Sequence, residues 1–376
     1  MKHKWWFQLG VLVALLVCAG AWGNGEVRSH RDRSKVAQLT EKMKTVCVGR
    51  YLINVPSQAD VSQSHATVAG FEIQTIGESE AEFHKRIEAR EAGIAARGPA
   101  TDGTGGLIEA RDLRIPGVVG RTFLYGLNRG YLMKGDVRVE DEFVSVEAHA
   151  HVDGRSFTLT AKYADEARAR LADALLARLQ SRGENDIPRV QGICIDRGLF
   201  AEPLPVREAD HSVLHIGLPD HPDLGMAFVS MPGGGNDPDL LVRSAETDAS
   251  ESTAESLRVT KLRADKRNIN GLAGEELLER FREINFTTTF AFMWETRGVD
   301  SDPMRPFLSL ELQAGIGPEN GGMPAGSSLH EDAVLDLWGA ISSSIRLRPH
   351  ALPEPRPGAN ANANAGNAMP DPECAV

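Results

Sequence analysis

Glu109-Ala110-Arg111-Asp112-Leu113-Arg114-Ile115-Pro116-Gly117-Val118-Val119-Gly120 opens the stretch that decides the fold, which runs from Ile108 to Gly183. A short strand turns here on two glycines set three residues apart. Alternating, strand-like segments follow at Arg121–Leu127, Asp136–His151 and Ser156–Tyr163. A helix is predicted from Asp165 to about Ser181, with Leu171, Leu175, Leu176 and Leu179 on one stripe and Gly183 ending it. The same order returns later. Arg267-Asn268-Ile269-Asn270-Gly271-Leu272-Ala273-Gly274-Glu275 repeats the turn with the same glycine spacing. Strand-like Thr289–Thr296 and Pro306–Ala314 come next, and a helix from Ser328 to Arg346 closes the second copy. Its buried side is expected to carry Leu329, Val334, Leu337, Trp338, Ile341 and Ile345. The chain therefore reads as an α+β protein of two similar domains, a diverged internal repeat, each an antiparallel sheet with packed helices.

The 376 residues suffice for two domains with their own cores, and 41% hydrophobic with 25% charged residues describes a globular protein. The net charge is −11, and losing Lys2 and Lys4 with the N-terminal segment lowers it further. Such acidity argues against nucleic acid as a partner, because neutralising phosphates needs a basic face.

Residues 1–23 read as an export signal: Lys2 and Lys4, then an uncharged apolar run from Trp5 to Gly20, then small residues. Cleavage fits after Ala19-Gly20-Ala21 or Ala21-Trp22-Gly23. Cys18 invites a lipoprotein reading, but Val17 stands where a small residue is wanted; an uncleaved anchor is the other alternative. In each case the body lies outside the cytoplasm, in the periplasm. Residues 24–42 read as a flexible lead-in, 43–186 and 187–349 as the two domains, and 350–376 as a disordered tail.

Beyond the signal stand Cys47, Cys194 and Cys374. Cys47 and Cys194 share a Cys-x-x-Arg setting on apolar segments, and each opens one half of the chain. An oxidising compartment makes them a disulfide pair stapling the halves; two buried free thiols are the alternative. Cys374, in the tail, is expected to stay unpaired.

Strands are expected at Thr45–Val55 and Gly70–Ile76, with polar, small residues 57–70 between them. Ser79 and Glu82 form a capping signature for a helix to about Arg97, buried through Phe83, Ile87 and Ile94. In the second half, strands are expected at Ser212–Leu218 and Gly225–Val229 and a helix from Pro238 to about Ala254.

No Gly-x-Ser-x-Gly, His-Glu-x-x-His, Gly-Lys-Ser/Thr phosphate loop or Cys-x-x-Cys occurs. His149 and His151, two apart on a strand, are the best metal candidates, but no third ligand stands at a recognisable spacing and a solvated strand face is expected. His211, His215 and His221 lie among Asp210, Asp220 and Asp223, which reads as a polar loop before it reads as a catalytic pair. Gly233-Gly234-Gly235 lacks the following basic residue of an anion site. Trp294 and Trp338 are assigned to the core. Neither a catalytic residue nor a cofactor is predicted.

Met43-Lys44-Thr45-Val46-Cys47-Val48-Gly49-Arg50-Tyr51-Leu52-Ile53-Asn54-Val55-Pro56, Gly192-Ile193-Cys194-Ile195-Asp196 and Leu337-Trp338-Gly339-Ala340-Ile341-Ser342-Ser343-Ser344-Ile345-Arg346-Leu347-Arg348-Pro349 carry a resemblance over residues 43–349. The chain resembles the immunity proteins that neutralise type VI secretion lipase effectors, the Tle4-cognate (Tli4-like) family. The resemblance implies two α+β domains facing each other like a claw, monomeric when free. It also implies that they grip a phospholipase effector in the periplasm and occlude it. Loops 98–106, 128–136, 231–238 and 316–326 are the candidate contacts, being glycine-rich and set at strand ends. The competing classes are a periplasmic hydrolase or metal enzyme using His149/His151 or the His211–His221 loop, and an envelope structural or sensory module.

Overall fold

The computed structural model describes residues 25–349 apart from 99–105, 165, 205–209, 234–237, 251, 253–255, 301, 303 and 317–321. The export segment, the tail, Cys18 and Cys374 lie outside the described residues.

The first half runs α1 (25–41), β1 (Met43–Val48), β2 (Tyr51–Pro56), β3 (Asp60–Val68) and β4 (Phe71–Gly77). It continues with α2 (Glu80–Ala95), β5 (Leu107–Asp112), β6 (Val119–Lys134), β7 (Val137–Val152), β8 (Arg155–Ala164), α3 (Glu166–Leu176) and β9 (Leu179–Ser181). The second half repeats this order from β1 onward. Its elements are β10 (Gly192–Ile195), β11 (Gly198–Ala201), β12 (His211–Leu218), β13 (His221–Met231) and α4 (Leu240–Ser250). There follow β14 (Val259–Ile269), β15 (Leu272–Arg282), β16 (Thr288–Thr296), β17 (Phe307–Ala314), α5 (Glu331–Ser342) and β18 (Arg346–Leu347).

The two halves do not keep separate sheets. One 12-stranded antiparallel sheet runs β14-β15-β16-β17-β13-β12-β3-β4-β8-β7-β6-β5. Reversing that order about the central β12–β3 pair exchanges β3 with β12, β4 with β13 and so on to β5 with β14. The duplication read from the glycine turns is thus a pseudo-twofold of the whole sheet. The turns show why glycine recurs. Gly117 and Gly271 take left-handed φ of 76° and 89°. At Gly120 and Gly274 a Cβ would lie 2.3 Å from the His149 carbonyl and 2.4 Å from the Glu295 carbonyl, so both copies need the bare backbone.

Nor do the cores follow the chain halves. The β1–β2 hairpin buries Val46, Val48, Tyr51, Ile53 and Val55 among Leu214, Phe228, Trp294 and Trp338 of the second half. The β10–β11 hairpin buries Ile193, Ile195 and Phe200 among Phe71, Phe157 and Leu175 of the first. The hairpins cross at the axis, where Gly49 and Cys194 exchange backbone hydrogen bonds of 3.0 and 2.8 Å. There Cys47 and Cys194 form the expected disulfide, 147 residues apart in sequence.

Several expectations change. Residues 25–41, read as a flexible lead-in, are helix α1, with Val36 and Leu39 buried in the second core. Asp32 on α1 is fully buried and accepts the His330 N–H at the start of α5, which is why so polar a segment docks. Polar 60–68 forms β3, the strand that joins the halves through β12. The helix expected to reach Ser181 stops at Leu176, because Leu179-Gln180-Ser181 pairs with β11; the last helix likewise yields to β18, which pairs with β2. The capping box at Ser79–Glu82 and the buried Phe83, Ile87 and Ile94 stand as read.

Serine at both Cys47 and Cys194 should lower stability by about 2–5 kcal/mol, the usual effect of losing a native disulfide. Urea unfolding checks this: one transition at a lower midpoint is expected, since the crossed hairpins tie both cores together, and an unchanged midpoint contradicts it.

Candidate partner-binding surface

The histidine candidates are structural. His149 and His151 are buried beneath α2, not on a solvated face. His149 Nδ1 lies 3.0 Å from Thr158 Oγ1, and His151 Nδ1 lies 2.9 Å from Ser156 Oγ. Beside them Glu147 accepts from Arg90 Nε at 2.8 Å and from the Tyr125 hydroxyl. Burial opposes its charge, but His149 Nε2 at 3.4 Å and hydrogen bonds from Arg90 and Tyr125 outweigh this and hold the carboxyl well below the ordinary range. The expected polar loop around His211–His221 is the β12–β13 hairpin. His221 is buried with Nδ1 2.7 Å from Ser328 Oγ, while His215 is exposed on β12. Among the described residues no cluster of three or more His, Cys, Asp or Glu residues is placed to hold a metal.

Around the axis, charge is used for architecture. Arg182 and Arg348 occupy equivalent places after the two closing helices. Their backbone N–H groups donate to the Arg197 and Arg50 carbonyls, each at 2.9 Å. The Arg348 guanidinium donates to the Pro188, Val190 and Gly192 carbonyls at 2.6–2.8 Å, clasping the linker between the halves. Burial, with Arg50 and Arg182 nearby, lowers its pKa to about 10. Arg50 donates to Glu202 at 2.6 Å and lies 3.8 Å from Asp210. Burial pushes the Asp210 carboxyl up to about 6 against the pull of Arg50.

The candidate loops fall differently from one another. Residues 99–105, 234–237 and 317–321 lie outside the described residues, leaving only the ends of loops 98–106, 231–238 and 316–326. The expected loop 128–136 is no loop: β6 continues to Lys134 and β7 begins at Val137. From the Asn128↔Phe143 pair onward, β6 and β7 pair only with each other among the described residues, as a two-stranded arm. Tyr131, Met133 and Val137 are exposed on it, and the Arg138 guanidinium sits 4.0 Å over the Tyr131 ring.

The sheet has one face under α3, α5 and the crossed hairpins. The other face differs between halves. In the first, the 16-residue α2 seals it with Phe83, Ile87 and Ile94 against Phe123 and Tyr125. In the second, the equivalent α4 has 11 residues and buries only Leu240. A pocket of about 560 Å³ remains between α4, Met231, Gly274 and Phe307, bordered by the Arg243–Glu295 ion pair at 2.7 Å. A wider hollow of about 850 Å³ lies on the same half, where Gly217, Gly225, Ala227 and Ala291 leave little side chain above the strands. Its ionisable lining is Asp223, Glu283, Glu311 and His215.

The architecture is a duplicated α+β scaffold tied about an axis, with one half's outer face only partly under helix among the described residues. The chain belongs to the Tle cognate immunity protein 4 family: the family's N-terminal domain matches residues 44–190 and its C-terminal domain residues 186–350. Solved structures share the fold at 22% identity. A chain of the Tle4–Tli4 complex aligns with TM-score 0.68 over 82% of this chain and 99% of its own. TplEi, an immunity protein of the type VI secretion system from Pseudomonas aeruginosa, aligns with TM-score 0.63 and 22% identity over 82% of this chain. The alignment takes in 97% of TplEi in its apo form and 98% in complex with the "L" peptide. No curated protein sequence matches.

Because the folded-state pKa of Asp210 is raised, its contribution is favourable in acid and is lost as pH rises from about 4 towards 6. Asp210→Asn should therefore gain on the wild type across that interval, reaching about 1–3 kcal/mol near pH 7. Paired urea midpoints from pH 4 to 8 measure it; a gain that shrinks with rising pH contradicts the assignment. In the arm, amides of 128–143 outside the β6–β7 pairing should exchange far faster than those of 146–151, since an isolated two-stranded hairpin is marginal in water.

Proposed function

We propose that the chain is a periplasmic immunity protein that binds a type VI secretion lipase effector and inhibits it by steric occlusion, without catalysis of its own. The match of both family domains along the chain carries this reading. The likeness to the Tli4 chain of a Tle4–Tli4 complex supports an effector protein as the partner. A disulfide buried at the axis supports an oxidising compartment. The apolar segment before α1 serves for export, with retention as a membrane anchor the variant form. Inhibition by occlusion asks for a surface that loses little freedom on binding. The single sheet and crossed hairpins supply it. The described ends of loops 231–238 and 316–326 lie on the open half and are the contacts favoured by position. Of the histidines on which the hydrolase and metal-enzyme alternatives rested, His149, His151 and His221 are each engaged in the fold.

Co-expression with the exported cognate lipase effector tests the proposal. The full chain should rescue growth and copurify with the lipase, a chain lacking residues 1–23 should not rescue, and purified complex should not hydrolyse phospholipid vesicles. Rescue by the non-exported chain, or full lipase activity in a stable complex, contradicts it.

A further inference from the structure

Resting on that reading, we propose that the hollow on the outer face of β12, β13, β16 and β17 receives a cationic side chain of the effector, flanked by apolar residues that seat on its rim. Three carboxylates and one histidine are the ionisable groups lining it: Asp223, Glu283, Glu311 and His215. Asp223 accepts the Ser328 N–H at 2.9 Å and Glu283 accepts the Thr289 hydroxyl at 2.9 Å, so both carboxylates are held in place by the fold. About 850 Å³ is within the range of sites that enclose a ligand group. The floor is small because the strands carry Gly217, Gly225, Ala227 and Ala291, and among the described residues no helix lines it.

The rim is apolar where it meets solvent. Ile316, 55% exposed, lines the hollow; the turn that follows its Glu283 presents Ile284 and Phe286, 76% and 75% exposed, and Met323 stands 78% exposed beside Pro324. These segments are fastened together: Asn285 Nδ2 donates to the Pro324 carbonyl at 2.6 Å, and Ile316 exchanges backbone hydrogen bonds with Ala325 at 2.8 and 2.9 Å. Phe286 holds a left-handed φ of 64°, a conformation costly for an aromatic residue, and does so with its ring in water. That turn closes the β15–β16 hairpin, with the Phe286 N–H donating to the Glu283 carbonyl and the Glu283 N–H to the Thr287 carbonyl, each at 2.9 Å, and it presents the ring where a partner can cover it.

Charge decides the occupant. An acidic floor under an apolar rim repels an anionic bilayer and attracts Lys or Arg on a protein, where desolvation inside the hollow strengthens the pairing. Arginine or lysine framed by apolar residues matches both layers.

Glu311→Lys, Phe286→Ser and the pair together test this in the mature chain against the purified cognate lipase effector. Each single substitution should weaken binding by about 30-fold, and Glu311→Gln should also flatten the salt dependence of association. Unchanged melting temperatures show that the variants fold. Variants that bind like the wild type overturn the hollow alone. A wild-type chain that does not bind the lipase removes the functional reading and the hollow with it. Binding to phosphatidylglycerol vesicles that is lost in Phe286→Ser assigns the rim to lipid and overturns the proposal.

Discussion

The backbone exchange between Gly49 and Cys194 is the contact on which the remaining structure depends. It brings together two hairpins, each of which completes the core of the half it does not begin. Around it, Cys47, Leu52, Cys194 and Leu199 make a small apolar cluster of paired equivalents, with the disulfide through its centre. In the chain-entropy account, closing a 147-residue loop removes about 5 kcal/mol of freedom from the unfolded chain. The buried arginines serve the same junction. A guanidinium surrounded by carbonyls is costly to desolvate, and Arg348 offsets that cost by fastening the linker at three points. Neither half retains an intact core without the other's hairpin, so the lobes cannot swing as separate domains.

Duplication leaves two copies free to diverge, and the divergence here is directional. Glu276 shows it in the core. Thr122 in the first copy donates to Asp173 of α3, while Glu276 at the matching place in the second is fully buried and accepts from the Trp338 indole at 2.7 Å. Burial opposes the Glu276 charge, yet Trp338, Arg263 and Arg267 together hold its carboxyl below the ordinary range. On the outer face the contrast is larger. The first copy spends a long helix and a Phe-Ile-Ile stripe on closing its sheet, whereas the second keeps small residues and a short helix. One copy is built as support and the other as a surface.

The repeat was legible because glycines at Gly117/Gly120 and Gly271/Gly274 answer to backbone geometry, which cannot be met by another residue. The disulfide was legible because both cysteines sat in matched apolar strands. What stayed hidden shares a cause: long-range pairing that local pattern does not encode. β3 is polar along Asp60-Val61-Ser62-Gln63-Ser64 and looks like a loop until β12 pairs with it. Helix α1 has few apolar residues, and its docking rests on a buried Asp32 that composition assigns to water. Leu179 continues a helical stripe perfectly well, but β11 competes for its backbone and wins. The arm was mistaken for a loop because glycine and charge at Gly130, Lys134, Gly135 and Asp136 mask a strand alternation that pairing with β7 makes plain. Of the surface, the hollow was not legible. Its signal is an absence of bulk at Gly225, Ala227 and Ala291, spread over separate strands.

Rigidity and openness make a coherent pair. A binder that must order itself gives up part of its contact energy in lost freedom, and one whose face is already set keeps it. The continuous sheet sets the face, since strand register couples the hollow on β12 and β13 to the axis beside it and to the first copy beyond. Net acidity then acts at longer range. The net charge of −11 favours encounter with a positively charged surface before any contact forms. In the proposed complex, long-range attraction sets the rate of meeting, whereas contacts at Phe286 and the neighbouring carboxylates set how long the partners stay. A surface used in that way would gain specificity from its hollow and speed from its charge, and occlusion would need no reacting group.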